Sequence, residues 1–448
     1  HSGTRLPSAD QGALTPVFLS RGAASLPSKM GTSVRRAARC VSSLPLFVAA
    51  AALGQGGAAR SPRSLRSPSA PAAPCGDEAY AEFRRSLGLE VSPSKNATAD
   101  EHRRELFRRR CEAVLEQNAR AGARWKASLN HFADRTDDEL RTYLGYKRSS
   151  SGHHRHGSLS FISVATGKTS ADVKKLPDEV DWRNGLISAE YIRHQGNCGS
   201  CWAIASVGAL EMHAELRNES ATPLSMDHLV RCVPNPERCG GAGGCDGATA
   251  ELAFRFVKEH GLGVEPRLGV PPELGSCELR EGRRAIISGF VRLPTNRAEP
   301  LIEALATHGP VVVSVAASDW FPYESGIYDY CSRNAIVNHA ALAVGYQKRA
   351  YIIRNSWGRS WGEFGHIRLL RHRKQLDNYC GVDTKPLEGV GCMNGPSEVK
   401  VCGMCGVLSD ASYPVDVRLL GGAAPTAREP RKSSRPPADL APDDAFSR

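Results

Sequence analysis

The sequence predicts an α+β molecule of two lobes, with a helical segment ahead of them. Two observations predict the lobes. The stretch from Leu176 to Asp416 opens in helix-like, turn-rich sequence and then becomes strand-rich. The strand candidates are Ala285–Leu293, Pro310–Ala317, His339–Tyr346, Ala350–Asn355 and His366–Leu370, β-branched or aromatic runs bounded by glycine and polar residues. A third observation predicts the leading segment. Over Glu101–Arg120, the residues Leu106, Phe107, Cys111, Val114, Leu115 and Asn118 recur at helical spacing, with a basic face opposite.

Ahead of that helix the chain reads as leader and linker. Met30 is the expected start, which leaves residues 1–29 untranslated. Arg35, Arg36 and Arg39, the apolar run VSSLPLFVAAAALG and the small residues Ala58 and Ala59 then read as a signal peptide over 30–59. The apolar run falls short of the roughly 20 residues that a membrane span needs. Residues 60–175 are expected to form a propeptide with its linkers. Within them Asp134 and Thr136 suit the turn and cap before a short second helix. The string SSSGHHRHGS, with His153, His154 and His156, reads as a solvated linker. Residues 176–390 are the expected globular domain, about 185–288 for the helical lobe and 289–390 for the strand lobe. Residues 391–416 read as a Cys-containing extension, and 417–448 as a disordered tail rich in Pro, Arg and Ala.

At 448 residues the chain has room for two domains or more. Its formal charge of +11 suggests an acidic partner. The distribution argues against one: Leu176–Asp416 carries about −4 and the flanks about +15, so nucleic acid is not an expected partner. The 14 cysteines point to an oxidising compartment.

The chemistry centres on Gln195-Gly-Asn-Cys198-Gly-Ser-Cys201-Trp202, followed by a helical stretch, AIASVGALEMHAELR. Cys201 would open that helix, where free N–H groups and the macrodipole favour a thiolate nucleophile. The Cys-x-x-Cys spacing also fits a redox dithiol, which is distinguished by whether Cys198 is free. Downstream lie Asn338-His339 and Tyr351-Ile-Ile-Arg-Asn355-Ser-Trp357-Gly. These strings, in this order and at this spacing, resemble the active-site motifs of papain and the cathepsins.

The resemblance implies a papain-like fold, a helical lobe and a β-barrel-like lobe with the active-site cleft between, preceded by an inhibitory prosegment. It implies an endopeptidase acting through a thioacyl-enzyme, with Cys201 as nucleophile and His339 as base. Asn355 would orient the histidine, Gln195 would help form the oxyanion hole, and Trp357 would shield the His–Asn pair. Gly247 and Ala248 would bind the substrate chain, while Ala340 and Lys385 would line the specificity pocket, Lys385 favouring an acidic or polar side chain. The pairs Cys198–Cys245, Cys232–Cys277 and Cys331–Cys380 are implied as disulfides. Cys239, Cys392, Cys402 and Cys405 are left over, as two more disulfides or, for Cys402 and Cys405, half of a zinc site.

Arg103, Phe107, Val114 and Asn118 resemble the family's prosegment helix, although Ala99 and Arg110 depart from it. Asn130-His-Phe132-Ala-Asp134 resembles the second prosegment motif, and LPDEVDWR at Leu176–Arg183 resembles a mature amino terminus. Asn96 and Asn218 head glycosylation sequons. The implied partners are protein and peptide substrates, the chain's own propeptide and cystatin-like inhibitors. The expected state is a monomer, without cofactor, resident metal or membrane span, in a lysosome- or vacuole-like acidic compartment or outside the cell. The rival function is a catalytically weak binding or storage homologue, whose signature would be loss of the nucleophile or base.

Overall fold

The structure, a computed structural model, describes residues 74–89, 97–145, 176–265, 275–277, 284–372 and 379–421. The signal-peptide reading, the histidine-rich linker and Asn96 lie outside these residues.

The prosegment forms α1 (Asp77–Ser86), α2 (Ala97–Ala119), β1 (Trp125–Ala127) and α3 (Asp137–Thr142). Leu106, Phe107, Cys111 and Val114 of α2 are buried as the periodicity predicts, whereas Leu115 is exposed. A disulfide, Cys75–Cys111, ties α1 to α2 over a small core of Tyr80, Phe83, Phe107 and Ala133. Thr136 caps α3 with its side chain, and Glu139 reaches back to the Thr136 N–H, closing a capping box. Arg110 donates to the carbonyls of Phe132, Ala133 and Arg135. It braces the turn between α2 and α3 from the position at which the sequence departed from the family's pattern.

After β2 (Val180–Asp181), the helical lobe contains α4 (Cys201–Leu216), α5 (Met226–Cys232), α6 (Ala250–His260) and β3 (Leu262–Gly263). Every residue of α4 from Cys201 to Ala214 is buried, which its all-round apolar sequence requires. The β lobe follows as β4 (Arg284–Ile286), β5 (Gly289–Arg292), α7 (Ala298–Thr307), β6 (Val311–Val315), β7 (Tyr323–Tyr328), β8 (His339–Gln347), β9 (Ala350–Arg354), β10 (His366–Leu370), β11 (Cys380–Asp383), β12 (Val399–Cys402), β13 (Ala411–Val415) and β14 (Arg418–Leu420).

The main sheet runs β1-β7-β10-β9-β8-β6-β13-β5, with β2 on β8, and it is open rather than a closed barrel among the described residues. Both faces of its centre are buried. Val312, Ala340, Leu342, Val344 and Ile352 face the core around α4, while Val311, Val313, Val315, Ala341 and Ala343 face the second core. The ladder register Ser314↔Ala340 and Val315↔His339 places His339 at the start of β8.

Three expectations need correction. Residues 391–416 are not an appended module: β13 sits inside the sheet, paired with β5 and β6. The tail does not lose structure at 417, since Val417 is fully buried and β14 pairs with β4. The Cys331–Cys380 pairing is also replaced. Cys380 lies directly opposite Cys402 in the β11–β12 hairpin and bonds to it, and Cys331 bonds to Cys405. The physical reason is the β11–β12 register, which sets Cys380 against Cys402 and leaves the second Cys-Gly-Val string, at Cys405, to meet Cys331.

Candidate active site

Three segments converge on Cys201. The Gln195–Ser200 loop is held by the disulfide Cys198–Cys245 and by the Gly199 N–H on the Cys245 carbonyl at 2.9 Å. A locked Cys198 removes the redox-dithiol reading. Cys232–Cys277 also forms as expected. Arg193, two residues before Gln195, is buried and donates to both carboxylate oxygens of Glu211 on α4. Arg354, next to Asn355, donates to the Ser188 carbonyl at 3.0 Å. These buried guanidinium contacts fix the three segments against one another.

His339 Nε2 donates to Asn355 Oδ1 at 2.8 Å, which leaves Nδ1 as the basic ring nitrogen. Nδ1 has no hydrogen-bond partner. The Ala340 N–H donates to Cys201 Sγ at 3.3 Å, so the start of β8 touches the nucleophile. Trp357 is fully buried, 5.3 Å from the His339 ring by centroids, and stacks on Phe321. Gln195 donates from Nε2 to the Cys198 carbonyl at 2.9 Å and accepts from Ser356 Oγ through Oε1. Its amide keeps a second N–H.

Gly247 stands beside Cys201's loop with a φ of +96°. A Cβ there would lie 2.1 Å from the Gly240 carbonyl oxygen and 2.2 Å from that of Gly145, so only glycine admits both approaches. Ala248 is buried beside it. Lys385 does not line a pocket floor among the described residues. It is more than half exposed and pairs with Glu388 at 3.6 Å, in the connection that leads from β11 to β12. Asn218 is exposed just past the end of α4, as a glycosylation acceptor needs.

The prosegment fills the cleft. Phe132 packs edge-on against Tyr143, Phe321 and Trp357. Trp357 Nε1 donates to the Tyr143 carbonyl at 3.3 Å. Gly145 then lies on the nucleophile: a Cβ at this residue would stand 1.9 Å from Cys201 Sγ. No sequence pattern marked Gly145, because what selects it is a contact with a residue 56 positions away.

The occluded pair is held uncharged. Burial pushes the Cys201 thiol up to about 12, against the backbone N–H groups of Ala340, Trp202 and Gly145, which pull it down. Burial pushes His339 down to about 4, partly offset by Asn355. Neither the thiolate nor the imidazolium is favoured at neutral pH while the prosegment excludes water.

Residues 176–390 match the family described as papain family cysteine protease. Cathepsin S of Rattus norvegicus is 34% identical over 267 residues, 58% of this chain and 76% of that protein. This chain belongs to the papain family of cysteine proteases. A cathepsin L-like proteinase of Fasciola hepatica is 30% identical over 317 residues, covering 68% of this chain and 91% of its own. Among solved structures, the proform of the Amb a 11 cysteine protease, a ragweed pollen allergen, superimposes with a TM-score of 0.54 at 27% identity over 75% of this chain and 91% of its own. Digestive procathepsin L 3 of Tenebrio molitor gives 0.56 at 24% identity, over 75% and 98%. The protein is thus a papain-family cysteine endopeptidase made as a zymogen, and its own propeptide is its first partner.

One ion pair makes the prosegment sensitive to acid. Burial tends to raise the Glu139 carboxyl, but the Arg103 guanidinium and the Thr136 N–H outweigh it and hold the group down to about 2. A depressed carboxyl contributes stability above its unfolded value, 4.5, and loses it as pH falls toward 2. The Glu139→Gln zymogen should therefore release its prosegment at a higher pH than the native chain. Monitoring activity while the pH is stepped down checks this, and coincident release curves would remove Glu139 from the trigger.

Proposed function

We propose that Cys201 attacks the scissile carbonyl while His339 Nδ1 takes the thiol proton. The C–N bond breaks as His339 returns that proton to the departing amine, leaving a thioacyl-enzyme. Water, deprotonated by the same nitrogen, then releases the acid and frees the thiol. Asn355 holds the ring in the tautomer that leaves Nδ1 basic, and its neutral amide does not quench the imidazolium. The second N–H of Gln195 and the Cys201 backbone N–H receive the oxyanion. Backbone groups at Gly247 and Ala248 bind the substrate chain, Ala340 borders its pocket, and Trp357 keeps water from the His–Asn pair. The observation that carries this reading is the His339–Asn355 bond beside a thiol that opens α4. The storage-homologue reading requires loss of a member of this set, and none is lost.

The same reading places maturation shortly before Leu176 and the working enzyme, a monomer, in an acidic lysosome- or vacuole-like compartment or outside the cell. Six disulfides support a secretory route. Cystatin-like proteins are its expected inhibitors and Asn218 its expected glycan site. Among the described residues no helix is long and apolar enough to cross a membrane.

The test is covalent titration. The acid-activated enzyme, under mild reductant, should take up one epoxide inhibitor per molecule on Cys201, found by mass spectrometry, with parallel loss of peptide cleavage. An unlabelled but correctly processed chain would reject the catalytic assignment.

A further inference from the structure

The connection from β11 to β12 does more than set a disulfide. Beyond β11 the chain leaves the β lobe along Val337, two residues before His339. Asp383 accepts from the Val337 N–H at 3.0 Å, and the Val390 N–H donates to the Val337 carbonyl at 3.2 Å. It then reaches the helical lobe. The Gly240 N–H donates to the Gly391 carbonyl at 3.0 Å, and the Met393 N–H to the Glu237 carbonyl at 3.1 Å. A disulfide, Cys239–Cys392, closes the contact between residues 153 apart in sequence. Gly240 in turn lies against Gly247, whose other neighbour is the prosegment's Gly145 on Cys201. Residues 384–393 therefore run from the wall that carries the base to the wall that binds the substrate backbone, and they are covalently fixed at the far wall.

This strap lies on the rim. Lys385 and Leu387 are exposed, as are Asn394 to Ser397 just beyond it. The strap stands at the Gly247 end of the cleft, opposite the Trp357 end, where Tyr143 enters. In the mechanism above His339 protonates the departing amine, so the chain downstream of the scissile bond lies toward the His339–Trp357 end, and the residues upstream of it lie along Gly247 and Ala248.

We propose that residues 384–393, anchored by Cys239–Cys392, form a barrier across the upstream end of the substrate cleft, so that the mature enzyme favours scissile bonds with a short stretch of chain on their amino-terminal side. The proposal rests on the cysteine-protease reading and adds a length limit to it. A longer upstream chain has to bend away over the strap, forfeiting the extended backbone pairing that an open groove would give it.

The experiment uses the acid-activated mature enzyme, with alkylation and intact mass confirming that Cys239–Cys392 stays oxidised in the assay. Peptides sharing one scissile sequence would carry roughly two to eight residues upstream, ~7 to ~26 Å of extended chain. The expected kcat/KM falls by about tenfold or more once the upstream chain outgrows the barrier, a loss of about 1.4 kcal/mol of transition-state binding. The Cys239→Ser/Cys392→Ser double variant, with active sites counted by epoxide titration so that misfolded molecules are discounted, should flatten the profile. A native profile that is flat or rises with length overturns the proposal, and so does a fall that persists in the double variant. Absence of cleavage at every length would instead count against the protease reading itself.

Discussion

The Cys201→Ala enzyme, processed in trans to the same mature chain, should hydrolyse peptides at least ~10⁴-fold more slowly than the native enzyme. The expectation follows from the geometry rather than from the presence of a cysteine. Cys201 is the one free thiol among the described residues, at the first turn of α4 and in contact with the strand that bears His339. His339→Ala should come close to the same loss, because nucleophile and base act as a unit and removing either ends the proton transfer. The measurement is active-site-titrated kcat/KM for both variants and for the double variant. If the double variant were slower than the native enzyme by the product of the two single losses, the residues would be acting independently, and the shared-proton mechanism would fall.

Latency should be lost when Gly145 acquires a side chain. In the native zymogen its backbone lies between Cys201 Sγ and the Gly247 wall, and a Cβ on it would also meet the Gly199 carbonyl oxygen at 3.3 Å. Valine there cannot fit without lifting the strand off the nucleophile, and overpacking of this kind costs about 1–3 kcal/mol. Gly145→Val should therefore raise the neutral-pH activity of the unprocessed zymogen by about 10- to 100-fold. The readout is hydrolysis of a fluorogenic peptide by protein shown on a gel to remain uncleaved. It is paired with thiol alkylation, since water readmitted to the cleft should also let Cys201 ionise. Unchanged latency would mean that the segment yields without leaving the sulfur, and that Phe132 and Tyr143 alone keep the cleft shut.

The candidate catalytic centre could be picked out in the sequence because its members sit in short, chemically specific strings. Gln195, Cys201, His339 and Asn355 come together where their spacing implied. The prosegment was legible through Phe107, Val114 and the Thr136 cap, since helical periodicity and capping are local rules. The cysteine pairing failed for the opposite reason. Cys380-Gly-Val and Cys405-Gly-Val are alike as strings, and only the β11–β12 register shows that the first pairs with Cys402 in its own hairpin. Lys385 was misplaced by the same repeat. β7 and β13 went unread because their runs, Tyr323–Tyr328 and Ala411–Val415, are interrupted by Gly326 and Pro414, which weaken strand patterns.

The position of β13 bears on how the molecule is made. A strand from the end of the described chain fills an interior slot between β5 and β6, while β1, made almost 300 residues earlier, caps the far edge of the same sheet. On the ribosome, the prosegment emerges and can form its own small core long before β13 exists. Until residue 415 is released, β5 and β6 each keep an unpaired edge, and nascent β-lobe surfaces are open to mispairing with other chains. Pairings this distant in sequence close slowly. Vulnerability to aggregation thus lasts until β13 emerges, and the prosegment is already present then to shelter the β7 edge of the incomplete sheet.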